Sequence, residues 1–212
     1  MSPVKNATFF HVNDQRPYSP YSLMKLGDVI FVGADDNPFW SYYETPKTLP
    51  VRESQTGVIE NVGARSWIRR VRNGSIIPDN LPQTAAEIVE HFYLFGRELV
   101  MELVRREVAP TAPSRQKCLW LTESHAGAEY WLNRIGSGRI VELRASGEIH
   151  RADASLLMGE ADAFSQISER ARSYWRGDLT ERREIEVLFT GRLEVVARLG
   201  ARIGATVSSP GS

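Results

Sequence analysis

The chain has 212 residues, 42% apolar and 25% charged, enough for a real core and the composition of an ordinary globular protein. Its 26 basic and 26 acidic side chains cancel, which argues against a dedicated non-specific nucleic-acid binder while leaving room for a local basic patch. A single cysteine, Cys118, excludes an intramolecular disulfide and a cysteine-based zinc cluster, and no apolar run or leader pattern suggests a membrane, so a cytoplasmic location is expected.

Residues 7–11 form a short strand-like run that ends on His11. A Pro- and Ser-rich loop covers Arg16 to Leu23, and Leu26 to Gly33 gives a turn followed by a second strand. From Ala34 to about Pro82 the pattern is irregular, and Phe39, Trp40, Tyr42 and Tyr43 are expected at the surface. Within it lies Arg65-Ser66-Trp67-Ile68-Arg69-Arg70-Val71-Arg72, a basic cluster with one aromatic. It reads either as a solvated edge or as a contact surface for phosphates, with Trp67, Arg69, Arg70 and Arg72 as the contact residues.

Thr84 to Val108 is the clearest helix. Thr84 fits an N-cap with Glu87 completing a capping box, and Ile88, Phe92, Phe95, Leu99 and Leu103 define the predicted core stripe. Pro110 and Pro113 close it. His91 and Tyr93 are expected as surface or packing residues of that helix. Cys118 to Thr122 is a compact strand and Glu123 to Leu132 a short helix. Arg139 to Arg144 is a further strand, and a segment ending at Leu157 follows. Residues 159–176 read as a helix. His125 and His150 have no evident partner and are expected at the surface.

Arg182 to Val196 alternates apolar and polar residues, breaks at Thr190-Gly191, and alternates again, predicting two strand segments with a turn or bulge between them. Ile185, Val187 and Phe189 should face one way, with Glu184, Glu186 and Leu188 facing the other. Such an acid is either a solvated surface charge or the wall of a cleft. Residues 205–212 read as a disordered tail. The order of elements predicts an α+β domain over residues 1–204, built on mostly antiparallel strands, with 34–110 as an insertion carrying the long helix 84–108.

Three pieces of the chain, in order, resemble the ADP-ribosyltransferase superfamily, in the branch whose core is a histidine, an aromatic and a glutamate. Phe9-Phe10-His11 and Leu26-Gly27-Asp28-Val29-Ile30 are similar to the opening motifs of rifamycin ADP-ribosyltransferases. Leu119-Trp120-Leu121-Thr122 with Ala128-Glu129-Tyr130 resembles the strand–helix motif of those enzymes and of poly(ADP-ribose) polymerases. Trp120 stands where those families usually carry Tyr, and Val12 where many carry Gly. Glu186-Val187-Leu188-Phe189 is similar to the segment around the catalytic glutamate of DNA-modifying ADP-ribosyltransferase toxins. Pro113-Ser114-Arg115, Tyr174-Trp175-Arg176-Gly177 and Glu186-Val187-Leu188 together resemble an uncharacterised bacterial branch.

The resemblance implies a split, mostly antiparallel sheet and NAD as co-substrate. The bond between nicotinamide and ribose would break through an oxocarbenium-like state, as in glycoside cleavage. It implies His11 on a ribose hydroxyl and the backbone of Val12 on the carboxamide. Trp120 and Tyr130 would clamp nicotinamide, and Thr122 would stand beside them. Glu186 would hold the ribose 2′-hydroxyl and serve the acceptor, and Asp153 falls near an acidic residue implicated in catalysis. The expected activity is mono-ADP-ribosyl transfer to a macromolecule, with DNA or RNA ahead of protein. Such enzymes are often toxins or effectors, which implies a neutralising partner protein. An NAD glycohydrolase and a non-catalytic binding module on the same fold are the alternatives.

Overall fold

The computed structural model describes residues 2–13, 23–52, 57–157, 159 and 163–199. In chain order the elements are β1 (Ser2–Asn13), β2 (Val29–Val32), α1 (Pro38–Glu44), β3 (Thr48–Arg52), β4 (Ile59–Gly63), α2 (Ala64–Arg72) and α3 (Leu81–Val108). β5 (Leu119–Leu121), α4 (His125–Ile135), β6 (Arg139–Asp153), a 3₁₀ turn (Ala154–Leu157), α5 (Phe164–Arg176) and β7 (Ile185–Leu199) follow. The fold is α+β with antiparallel strand pairing throughout the described sheets.

The main sheet runs β1-β6-β7-β2, and β5 shares the β2 edge of β7 further along that strand. It curls until the residue after β5 meets β1. Phe10 and Thr122 exchange backbone hydrogen bonds of 2.9 and 2.8 Å, closing β5 onto β1. Alternation then sorts the side chains. Phe9, Leu119, Leu121, Leu143, Ile149, Val187 and Phe189 fill the enclosed face. Cys118, Ala152 and Leu188 turn outward under Tyr174 and Trp175 of α5 and Met101 and Val104 of α3. On the other flank, Phe10, Val12 and Ile140 pack against Ala128 and Leu132 of α4.

β7 is one 15-residue strand, not two with a turn between them. The Thr190-Gly191 break is where Gly191 pairs with Gly147 of β6. A Cβ on Gly147 would sit 2.1 Å from the Thr190 carbonyl oxygen and 2.8 Å from Gly191 Cα. The two glycines therefore let the long strands approach and bend without breaking. The expected facing of β7 holds, with Val187 and Phe189 inward and Glu186 beside Leu188 outward.

The region from Ala34 to Pro82 is more regular than its turn-rich sequence predicts. Asn37 caps α1, its Oδ1 accepting from Trp40 N at 2.9 Å. The β3–β4 hairpin, α2 and the start of α3 share a core of Leu49, Val51, Val62, Ala64, Trp67 and Ile88. Trp40 and Tyr43, expected outside, are buried. Trp40 stacks on Phe95 of α3 with centroids 5.4 Å apart, because α1 lies along that helix.

α3 begins one turn before the predicted start. Asn80, not Thr84, accepts from Gln83 N at 3.2 Å, with Pro82 in the first turn. Its buried stripe is also rotated. Ile88, His91, Glu98, Met101, Glu102 and Val104 are inside, while Phe92, Leu99 and Leu103 are exposed. Buried acids win the inward face because arginines meet them there, Arg97 and Arg115 at Glu98 and Arg105 and Arg106 at Glu102. His150, expected at the surface, is buried, with Nε2 3.3 Å from the Tyr174 carbonyl and its ring beside Trp175. α5 starts at Phe164, five residues later than expected. The loop from Arg16 to Ser22 and the 205–212 tail lie outside the described residues.

Candidate functional site

Glu186 sits on the second residue of β7, on the face covered by helices, and its side chain is 10% exposed. Tyr174 of α5 donates its hydroxyl hydrogen to Glu186 Oε1 at 2.5 Å, and Arg115 Nη1 donates to the same oxygen. Arg115 Nη1 also donates to the Tyr174 hydroxyl at 2.7 Å, and Nε donates to Glu98 Oε2 at 2.9 Å. Arg97 Nη2 completes the row on Glu98 Oε1 at 2.7 Å. The result is a buried chain of two cations, two carboxylates and a phenol, balanced in charge and bonded end to end.

Burial opposes ionisation in this network, and the pairing reverses that where charges meet. Burial disfavours the Arg115 cation, yet the carboxylates of Glu98 and Glu186 and the phenol of Tyr174 hold its pKa well above the ordinary value. Burial would raise Glu98, but Arg115 and Arg97 keep it below the usual carboxylate range. The Tyr174 phenol is pushed well up by burial, so it stays a neutral donor to Glu186. Both bonds to Glu186 end on Oε1. Oε2 accepts none among the described residues.

Aromatic side chains stand beside that oxygen's strand. Trp120 of β5 pairs across to Leu188, on the same outward face and two residues from Glu186. Its ring lies 5.4 Å from the Arg115 guanidinium and meets Phe39 edge-on at 5.5 Å. Trp131 of α4 packs against the same cluster and donates Nε1 to the Ile185 carbonyl at 3.3 Å. Tyr130, the predicted second clamp, points away. It is 43% exposed, its hydroxyl takes Arg134 Nη1 at 3.1 Å, and its ring touches Trp131 rather than Trp120. The helical phase of α4 instead turns Trp131, one residue on, toward the cluster that Trp120 also packs against.

His11 is buried, and Nδ1 is 2.9 Å from the Trp120 carbonyl. Burial lowers its pKa to about 4 against that hydrogen bond, so the ring is neutral, with Nδ1 the donor. Nε2 is then a buried acceptor with no partner among the described residues. By alternation His11 belongs to the enclosed face with Phe9, whereas Trp120 and Glu186 face outward. The three expected residues therefore occupy neighbouring strands, β1, β5 and β7, without forming one side-chain cluster. Val12 pairs with Ile140 and packs under α4, and Thr122 Oγ1 donates to the Ser124 carbonyl at 3.0 Å.

Asp153 does not face a reaction space. It is fully buried and accepts from Ser155 N and Oγ, Thr180 N and Oγ1, and Glu184 N at 2.7 to 3.1 Å. Burial opposes its charge, but those donors hold its pKa below the usual value. It pins the loop before β7 to the end of β6. Trp67 is likewise no stacking platform, being 4% exposed in the core under α2. Arg70 is paired with Glu60, while Arg69 and Arg72 are exposed.

Arg115, Tyr174 and Glu98 complete the site around Glu186. The first two lie in the Pro-Ser-Arg and Tyr-Trp-Arg-Gly segments, which the fold joins to Glu-Val-Leu at Glu186. Glu98 carries a weaker signal, a seven- and four-residue spacing with His91 and Glu102. Among the described residues no group of three or more His, Cys, Asp or Glu is placed to hold a metal ion. No helix among them is long and apolar enough to cross a membrane. No curated protein matches the chain. A family model described as "Protein of unknown function (DUF2441)" matches residues 9–202, nearly the whole described fold, and the chain belongs to that family.

Proposed function

We propose that the protein is an NAD-dependent mono-ADP-ribosyltransferase acting at Glu186, with a macromolecule as acceptor. The observation that carries this reading is a carboxylate held rigidly through one oxygen by Arg115 and Tyr174, its other oxygen accepting no hydrogen bond among the described residues, with Trp120 on the adjoining strand. NAD supplies a ribose already bonded to a good leaving group, nicotinamide. The protein's task is then orientation and charge stabilisation. Trp120 and Trp131 offer flat faces to an aromatic ring. Glu186 Oε2 is suited to a ribose hydroxyl and to the positive charge that develops beside it. Arg115 and Tyr174 keep the carboxylate from rotating as that charge appears.

The test is release of nicotinamide from labelled NAD by wild type and Glu186→Gln, with and without cell lysate. Lysate-dependent release that the substitution abolishes, with label recovered in a macromolecular fraction, is the expected result. Lysate-independent release with free ADP-ribose as product would make the protein a glycohydrolase. No release and no NAD binding would overturn the enzyme reading and leave a binding module.

A further inference from the structure

α2 turns a bare basic stripe to the solvent. Arg65, Arg69 and Arg72 recur at the i, i+4, i+7 spacing of one helix face, all three are exposed, and none makes an ion pair among the described residues. With Ser66 and Ile68 they line a surface concavity of about 580 Å³. Among the described residues no acidic side chain lines it. Arg70 shows the contrast, since it turns off the stripe and is neutralised by Glu60. In a protein whose charges sum to zero, three unpaired guanidinium groups on one helix face are a local concentration rather than a general excess.

The rest of the module explains how the stripe is presented. Trp67, between the basic residues, is the anchor. It is 4% exposed against Leu49, Val51, Val62 and Ile88, so it fixes which face of α2 looks outward. At 1.5 Å per residue, Arg65 to Arg72 rises about 10 Å along the helix axis. That is about three nucleotide steps at 3.4 Å each along one strand. Guanidinium forks at that pitch suit phosphodiester oxygens. A bilayer surface fits less well, because a membrane-lying helix exposes bulky apolar side chains, whereas α2 turns its tryptophan inward and exposes Ile68 alone among its large apolar residues.

We infer that the Arg65–Arg69–Arg72 face of α2 binds the phosphate backbone of a nucleic acid. Its role as the site that holds the ADP-ribose acceptor rests on the transfer reading; the binding does not.

Fluorescence anisotropy with a labelled 20-base-pair DNA duplex and a 20-nucleotide RNA, from 50 to 300 mM salt, tests it. With three phosphates neutralised on the duplex, log K should fall against log salt with a slope of about −2.7. Arg65→Gln/Arg69→Gln/Arg72→Gln should weaken binding at least tenfold and flatten the slope. Arg69→Gln alone should flatten it by about 0.9, and Arg106→Gln, whose paired side chain lies on α3, should leave it unchanged. Equal binding by the triple variant and wild type would overturn the inference. So would absence of binding to either nucleic acid, or capture of wild type by phosphatidylserine vesicles in preference to both. Because none of these measurements involves NAD, they stand apart from the nicotinamide-release test. Failure of one leaves the other intact.

Discussion

Arg115 touches two buried acids, so its removal differs in kind from theirs. Arg115→Met leaves Glu186 without the cation that offsets its burial, and Glu98 with Arg97 alone. Stranding buried charge in this way costs about 3–5 kcal/mol. Urea unfolding should show that loss, and adding Glu186→Gln should restore part of it, because the stranded charge is then gone. If Arg115→Met unfolds at the wild-type midpoint, the network is not a unit. Tyr174→Phe removes a donor to Glu186 and an acceptor for Arg115 while keeping the ring, with an expected loss of about 1–3 kcal/mol. The outward direction of Glu186 was legible from the period-two pattern of its own strand. Its partners were not, because Arg115 lies 71 residues from Glu186 and 59 from Tyr174. A hydrogen bond at that separation leaves no local pattern. Asp153 was misread for a related reason: an acid at a strand end looks the same whether it faces substrate or five backbone and side-chain donors.

Glycines at two places make opposite predictions for the elements that hold them. Gly147→Ala would place a Cβ 2.1 Å from backbone oxygen of β7, where neither strand can yield without losing its ladder. The variant should lose more than about 3 kcal/mol, the range of severe core strain, or fail to fold. Gly96, in the middle of α3, has nothing within 4 Å of its added Cβ, and Gly96→Ala should stabilise by about 0.5–1 kcal/mol. Thermal melts of the two variants give the check; a neutral Gly147→Ala would show that the strands do not approach as described. The presence of β1, β6, β7, α4 and most of α3 was readable because periodicity and caps are local, but not the strands' full length: β1 was read only over 7–11, β6 only over 139–144, and β7 as two segments. The rotation of α3 was not readable either. Phe92, Leu99 and Leu103 form as good an apolar stripe as the one actually buried, and ion pairs from distant arginines decide between the two faces. α1, β3, β4 and α2 were missed because short elements between turn residues have too few repeats to declare a period.

At the scale of the whole molecule, the sheet closes on itself through His11 as well as through the Phe10–Thr122 bridge, and that closure should be sensitive to acid. The folded pKa of His11, lowered to about 4 by burial, lies below the ordinary histidine value of about 6.5 that the unfolded chain follows. Between those values the unfolded chain takes up a proton that the folded ring refuses. Stability contributed by neutral His11 is therefore fully present above pH 6.5, declines as pH falls toward 4, and is flat below it. Over that interval the loss is on the order of 3 kcal/mol, at 1.36 kcal/mol for each pH unit. Burial also holds His150 and His91 below the usual histidine range, so wild type keeps an acid slope even without His11. Asp153, held low by its donors, adds a loss only at lower pH, below the ordinary aspartate value. The comparison that isolates His11 is urea unfolding of wild type and His11→Gln at half-unit steps from pH 7.5 to 4. The amide side chain can still donate to the Trp120 carbonyl but does not titrate. Its stability curve should be shallower by up to one proton per molecule near pH 5, so that a variant less stable at pH 7.5 approaches wild type in acid. Parallel curves would mean that the folded state accepts the proton on Nε2.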